Sequence, residues 1–210
     1  MDTLKCVSSC PERSLFATGS SYGTIYVFDS RLSNKPIYQY RPHTEHVTKL
    51  AMNTEYILSA SEDKTVSVWD QRAGRTMKSI TIPGEAIPTC MSMRRDNWVC
   101  VGDTKAKLYM LNPKNNFELV KYYSTQHEYS PDDPITGVIL THGCLITSCK
   151  NGMVRISSPT DPPKLIATKL VEYGNNGSMD YLNDTLAIVS CSTLNVWRLK
   201  SKCLTKRHIE

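Results

Sequence analysis

Apolar and polar residues alternate with a period of two along most of this chain, and long helical stripes are absent. The clearest stretch runs from Tyr56 to Asp70 and reads as strand, tight turn, strand. In its second strand Val66, Val68 and Asp70 point one way, while Thr65, Ser67 and Trp69 point the other. The same shape recurs at Phe16–Asp29, at Val99–Gly102 followed by Lys107–Asn112, at Cys144–Ile156 and at Leu186–Trp197. The turn residues agree. Asn151-Gly152 is the strongest hairpin dipeptide, because both residues tolerate φ > 0, and Gly23 fills the same slot in the first copy.

Equivalent strand ends fall at Asp29, Asp70, Asn112, Ser158 and Arg198, at intervals of about 40 to 46 residues. A period near that length with four short strands per unit is the signature of a β-propeller built from WD repeats. The expected fold is all-β. About five blades lie within residues 1–199, and a basic tail (Lys200, Lys202, Lys206, Arg207, His208) covers 200–210. The resemblance to WD-repeat proteins, which typically have seven blades, implies that these copies are part of a seven-bladed propeller. The opening strand, Leu4 to Ser8, follows Met1 closely, without the outer strand and His-bearing loop that normally come before it. That points to Met1 as an internal methionine of a longer protein. The alternative is that Cys203–Lys206 supplies a missing outer strand and closes a five-bladed ring.

By resemblance to WD repeats, the second copy carries a buried polar network of His43, Ser59, Asp63 and Trp69. Asp63 would accept hydrogen bonds from His43 and from turn amides, His43 would bond the Ser59 hydroxyl, and the Trp69 indole N–H would join them. His, Asp and Ser together also suggest a hydrolase triad. The repeat places them inside a blade, so the structural role is expected and no catalytic residue is assigned. Elsewhere the network is lost. Tyr22 and Phe28 stand at the Asp63 and Trp69 positions in the first copy, Lys105 and Leu111 in the third, Asn151 and Ser157 in the fourth. Those blades are expected to rely on apolar packing.

Composition narrows the function classes. The chain has 210 residues, 40% hydrophobic and 21% charged, with a net charge of +5. Such a chain is neither disordered nor fibrous. It has no apolar run long enough for a membrane helix and no secretory pattern at its start. The mild basic excess lacks the dense, aromatic-interleaved clusters of a nucleic-acid domain. Eight cysteines without export signal, Cys-x-x-Cys pair or His partners read as reduced thiols in cytoplasm or nucleus. No metal, no cofactor, no membrane partner and no nucleic-acid partner is expected, and no enzyme activity.

Several stretches sharpen the resemblance. Cys90-Met91-Ser92 is followed by Trp98 and by Gly102-Asp103. Pro134-Ile135-Thr136-Gly137 comes before the fourth copy, and Pro159–Pro163 comes after it. The last strand ends Trp197-Arg198-Leu199. In this order they resemble the C-terminal part of the F-box/WD-repeat protein nine family, from about Cys6 to Leu199. The resemblance implies a substrate-recognition subunit of an SCF-type (Skp1–cullin–F-box) ubiquitin ligase, whose propeller holds the protein substrate and performs no chemistry. No F-box-like helical segment precedes the first blade. The chain as given is therefore expected to bind a target without docking Skp1, and to compete with the full subunit. Skp1–cullin joins only through an F-box upstream in the full protein. The rival reading is a generic WD-repeat scaffold in another assembly.

Propellers bind through loops around their channel. The candidates are Glu45 and His46 before the second blade, and Tyr22, Glu62, Lys64, Lys105 and Lys150 in the strand turns. No basic trio at matching positions supports phosphopeptide recognition. The insertion Ser124–Pro134, with Tyr129 and two prolines, is a further candidate partner loop. Its His127 has no partners spaced for a metal.

Overall fold

The computed structural model describes residues 2–32, 35–124, 133–160, 162–171, 176–182, 185–190 and 193–198. β1 (Leu4–Cys10), β2 (Leu15–Ser20), β3 (Ile25–Asp29) and β4 (Tyr38–Tyr40) form the first antiparallel sheet, in that order. β5 (Val47–Met52), β6 (Tyr56–Ser61), β7 (Thr65–Asp70) and β8 (Arg75–Thr81) form the second. β9 (Pro88–Met93), β10 (Val99–Asp103), β11 (Lys107–Asn112) and β12 (Glu118–Ser124) form the third. β13 (Ile135–Leu140), β14 (Leu145–Cys149), β15 (Met153–Ser157) and β16 (Leu165–Leu170) form the fourth. β17 (Asn176–Leu182), β18 (Thr185–Ser190) and β19 (Thr193–Arg198) make a three-stranded fifth.

These five antiparallel sheets are the blades of a β-propeller, arranged in a ring. The repeat ends read from the sequence fall at the ends of the third strands, and the first four sheets each continue into a fourth. The opening strands lie side by side: β1 packs on β5, β5 on β9, β9 on β13 and β13 on β17. Among the described residues, no contact of similar extent joins β17 to β1. The end blades consequently leave apolar residues uncovered, with Val7 67% exposed on β1 and Leu194 65% exposed on β19.

Each inner blade is buried on both faces. Leu58, Val66 and Val68 of the second blade meet Met91, Val101, Tyr109 and Leu111 of the third. From its other face, Ile57 and Trp69 meet Ile25, Val27 and Tyr40 of the first. Burial on both faces explains why β10 and β14 are buried at every position. Such strands read as continuous apolar runs rather than as an alternation.

A repeated irregularity sets the contact between blades. The opening strand of every blade is bulged near its start, with Lys5, Thr48, Thr89 and Thr136 as the extra residues in the first four. A bulge re-aims the side chain it carries. Thr48 Oγ1 donates to the carbonyl of Pro88 at 2.8 Å, and Thr89 Oγ1 donates to the carbonyl of Ile135, in each case in the next blade. In the first blade Cys6, just after the bulge, donates its thiol to the Val47 carbonyl at 3.6 Å. At Thr136 the series stops, because its hydroxyl bonds Ser148 within its own blade.

Glycine on the second strand makes this approach possible. A Cβ on Gly19 would lie 2.5 Å from Val47 Cγ1, and one on Gly102 would lie 2.7 Å from Cys90 Sγ and 2.9 Å from Ile135 Cγ2. Both sites are enclosed by buried atoms, so the added methyl has nowhere to go. Gly102→Ala is expected to lower unfolding stability by about 1–3 kcal/mol, the usual range for overpacking. A denaturant titration against the parent chain measures this.

Candidate functional site

The turns between second and third strands lie on one rim of the ring, together with the loops that enter the following blades. All four described turns share one geometry. Gly23 (φ 75°), Lys64 (φ 66°), Ala106 (φ 55°) and Gly152 (φ 86°) occupy the same left-handed slot. The amides of Gly23, Lys64 and Gly152 donate back to the carbonyls of Ser20, Ser61 and Cys149. This is a turn with one left-handed residue, so Asn151 does not use the positive φ it tolerates. At Gly23 a second constraint applies: a Cβ there would sit 2.3 Å from the carbonyl oxygen of His43. The loop entering the second blade therefore passes directly over the turn of the first.

That loop is held by the expected network. His43 is 2% exposed and Ser59 is 1% exposed. His43 Nδ1 lies 3.0 Å from Asp63 Oδ2, and His43 Nε2 lies 2.8 Å from Ser59 Oγ. Asp63 also accepts from the Thr44 amide at 3.1 Å, the Thr65 amide at 3.0 Å and the Thr65 hydroxyl at 2.6 Å. A neutral His43 protonated on Nδ1 satisfies every group: it donates to Asp63 and accepts from Ser59. Trp69 stands outside this set, which corrects the sequence expectation. Its indole stacks on Tyr40 of the first blade, centroids 3.8 Å apart and planes 16° from parallel. Thr65 supplies the donor instead, because it sits beside the turn, whereas Trp69 pairs across from Ile57, farther down the sheet.

The other blades have not simply lost their polar groups. In the third, Asp103 is fully buried; it accepts from the Lys105 and Lys107 amides, each at 2.8 Å, and from the Tyr109 hydroxyl at 2.8 Å. In the first, Ser20 Oγ accepts from the Tyr22 amide at 3.3 Å and the Thr24 amide at 3.1 Å. Both acceptors sit at the last residue of the second strand, where the second blade has Ser61. Tyr22 and Lys105, the positions equivalent to Asp63, lie two residues beyond these acceptors. An Asp before a turn of the form x-Lys-Ala-Lys was the available signal.

On this frame the rim residues gather in part. Ser61 Oγ donates to the Glu45 carbonyl at 3.3 Å, and the Glu62 amide donates to the His46 carbonyl at 3.0 Å. His46 Nδ1 lies 3.5 Å from Glu62 Oε2. Lys64 pairs with Glu85 of the next entering loop, which holds that carboxyl below its usual range. Glu45, His46, Glu62 and Lys64 thus form one patch of mixed charge. Tyr22, 54% exposed, Lys105 and Lys150 stand on the equivalent turns of the first, third and fourth blades. Tyr129 and most of its loop lie outside the described residues.

The described cysteines lie apart from the rim patch in chemistry as well as in sequence. Cys6, Cys10, Cys90, Cys100, Cys144 and Cys149 carry free thiols. Burial pushes Cys6 up to about 11 and Cys90 up to about 12, away from the thiolate a nucleophile needs. Among the described residues no group of three His, Cys, Asp or Glu is placed to hold a metal ion, and no helix is long and apolar enough to cross a membrane.

The network makes stability depend on pH. Burial lowers the His43 imidazole below its ordinary value, and the Asp63 carboxylate offsets this only in part. Burial alone would raise Asp63, but the Thr65 hydroxyl, His43 and the two amides outweigh it and hold the group low. With both values depressed in the folded state, the unfolded chain binds more protons in acid. The His43 contribution is complete above about pH 6.5, its unfolded value, and shrinks as the pH falls below that. His43→Gln is expected to cost about 1–3 kcal/mol at pH 7.5 and to flatten the stability profile between about pH 6.5 and 5. Urea titrations across that range check both. In the third blade, Tyr109→Phe is expected to cost about 1–3 kcal/mol by stranding a buried carboxylate oxygen. The double variant with Asp103→Asn should lose less than the sum of the singles.

Residues 2–29 and 34–70 match the family model described as WD domain, G-beta repeat. Over 197 residues the chain is 27% identical to F-box/WD repeat-containing protein 9 of Homo sapiens, covering 93% of this chain and 41% of that protein. The Bos taurus protein of the same name is 28% identical over the same shares. The chain thus spans well under half the length of these curated relatives. A stretch of 86 residues is 36% identical to Ribosome biogenesis protein YTM1 of Scheffersomyces stipitis, 38% of this chain and 18% of that protein. Among solved structures, a chain of the "Crystal Structure of Mitotic Checkpoint Complex" superposes with a TM-score of 0.81 at 17% identity. The superposition covers 93% of this chain and 61% of that one, and it shows the shared fold.

Proposed function

The chain is a WD-repeat β-propeller, and from that premise we propose that it is the substrate-recognition part of an SCF-type ubiquitin ligase. The observation that carries this reading is the similarity to F-box/WD repeat-containing protein 9, which runs through all five blades and not only the generic repeat. The fold supports a protein-interaction role, and the reading needs no catalysis from the propeller. Its rim holds a substrate protein by position. Glu45, His46, Glu62 and Lys64 offer a patch with both signs of charge, and Tyr22, Lys105 and Lys150 extend it to neighbouring turns. Lys64 is paired with Glu85, so the patch favours a segment of mixed charge over a phosphorylated one.

Skp1 and cullin attach through an F-box elsewhere in the full protein, and the propeller alone occupies substrate. Overexpressed residues 1–210 are therefore expected to raise the level of a substrate that the full protein ubiquitinates, without co-precipitating Skp1. Reversing two rim charges (Glu45→Lys with Glu62→Lys) should abolish this effect and leave the melting temperature unchanged. Skp1 co-precipitating with residues 1–210 would refute the division of labour. A full-length protein that never recovers Skp1 would refute the ligase reading itself.

A further inference from the structure

Beyond the inner strands, a large side chain of each later blade meets one of the blade before it. Trp69 stacks on Tyr40 between the first and second blades. Between the second and third, Leu111 shares a buried cluster with Ile80, and Phe117 meets Tyr56 edge to face, centroids 5.0 Å apart. Between the fourth and fifth, the Trp197 ring lies 4.4 Å from the Lys169 ammonium. Strand register makes these positions equivalent. Tyr40, Ile80, Tyr123 and Lys169 pair with Ile25, Val66, Leu108 and Val154, each two residues after the left-handed residue of its turn. Trp69, Leu111, Ser157 and Trp197 pair with Ile57, Val99, Leu145 and Leu186, which begin or nearly begin the second strands.

The interface of the third and fourth blades departs from this series. The third blade carries Tyr123 at the Tyr40 position and Trp98 at the Tyr56 position. The fourth carries Ser157 where the others have Trp69, Leu111 and Trp197. It also has Pro163 where Phe117 stands, two residues before the strand partner of Ser157 or Leu111. A groove of about 310 Å³ opens there. Trp98 and Tyr123 line one side, Pro159 and Pro163 the other, with Leu140 and Leu145 of the buried core between them. An apolar cavity of about 150 Å³ holds benzene, so this groove has room for two fused rings.

The chain has no indole or phenyl ring left to fill it. It contains three tryptophans and three phenylalanines. Trp69, Trp197 and Phe117 serve the other interfaces, Phe16 and Phe28 stack on one another, and Trp98 is itself a wall of the groove. A second copy brings the same six rings, engaged in the same way. The polar groups at the mouth are engaged too. Asp96 holds Arg94 through two contacts of 2.7 Å, and the Thr160 hydroxyl donates to the Pro162 carbonyl at 3.0 Å. The mouth therefore favours neither an ion nor a peptide backbone, which would need polar partners there. We propose that this groove is a ligand site for a neutral, planar, fused two-ring aromatic compound. The compound takes between Trp98 and Tyr123 the place that Trp69 takes against Tyr40. The site shares no residue with the rim patch and does not depend on the ligase reading.

Indole and 2-naphthol, titrated into the full chain, are the probes. Both are expected to shift the amide resonances of Trp98, Leu145 and Ser157 and to leave those of Glu45 and Glu62 in place. Cyclooctanol, an aliphatic ring of similar size, should bind about two- to ten-fold more weakly, the share that ring stacking supplies. Ser157→Trp restores the indole of the other interfaces; it is expected to abolish probe binding and raise the melting temperature. Val120 also lines the groove and is 43% exposed. Val120→Trp should therefore weaken binding at least ten-fold with the melting temperature unchanged. Three results would overturn the proposal: no shift at the lining residues at the solubility limit of either probe, cyclooctanol binding as tightly as indole, or full affinity in Val120→Trp.

Discussion

The structure depends on how closely one sheet can lie on the next near the inner strands. Two sheets packed through full-sized side chains stand about 10 Å apart. Near the centre of a ring of wedge-shaped blades that spacing is too wide, and small residues must narrow it. Gly19 and Gly102 do this against Val47 and Ile135, and the bulges at Thr48 and Thr89 each turn a hydroxyl toward the next blade's backbone. Each of these hydroxyls gives a buried backbone carbonyl of the next blade a hydrogen-bond donor. Steric fit and hydrogen bonding therefore fall on the same few residues, and the large apolar clusters farther out follow from that spacing.

A second theme is one position met by several chemistries. The end of the second strand must satisfy the amides of a tight turn in every blade. The second blade uses Ser61 and Asp63, with His43 fixing the entering loop. The third uses a buried Asp103 completed by Tyr109, and the first uses Ser20. Only the second arrangement ties the turn to a loop through a side chain that bonds at both ends. It is also where the rim gathers charged residues most tightly. Rigidity under a binding loop reduces the ordering cost of recognition, so the best-braced blade is the natural place for a contact patch.

Much of this was legible in the sequence, for physical reasons. Strand alternation and the recurring turn slot are local, and both survived in most copies; the third-strand ends at Asp29, Asp70, Asn112 and Arg198 match the repeat read from the sequence. His43, Ser59 and Asp63 could be placed because their spacing fixes them on one blade. Asp103 was missed because its partner Tyr109 is not a member of the familiar set. Trp69 was assigned to the wrong company, since stacking on Tyr40 depends on the register between two sheets, which no local pattern encodes. The same holds for the bulges: Thr48 and Thr89 look like ordinary strand residues until the neighbouring blade is present.

The stitches also have a direction. Cys6, Thr48 and Thr89 each donate forward, from one blade to a carbonyl in the blade that follows it in the chain. The loop that covers Gly23 likewise belongs to the second blade, not the first. A nascent chain emerges with its first residues leading, so each of the first three blades waits for its successor before these donors are matched. In each of these three blades the finished sheet is thus completed from outside itself, by backbone that the chain supplies about forty residues later.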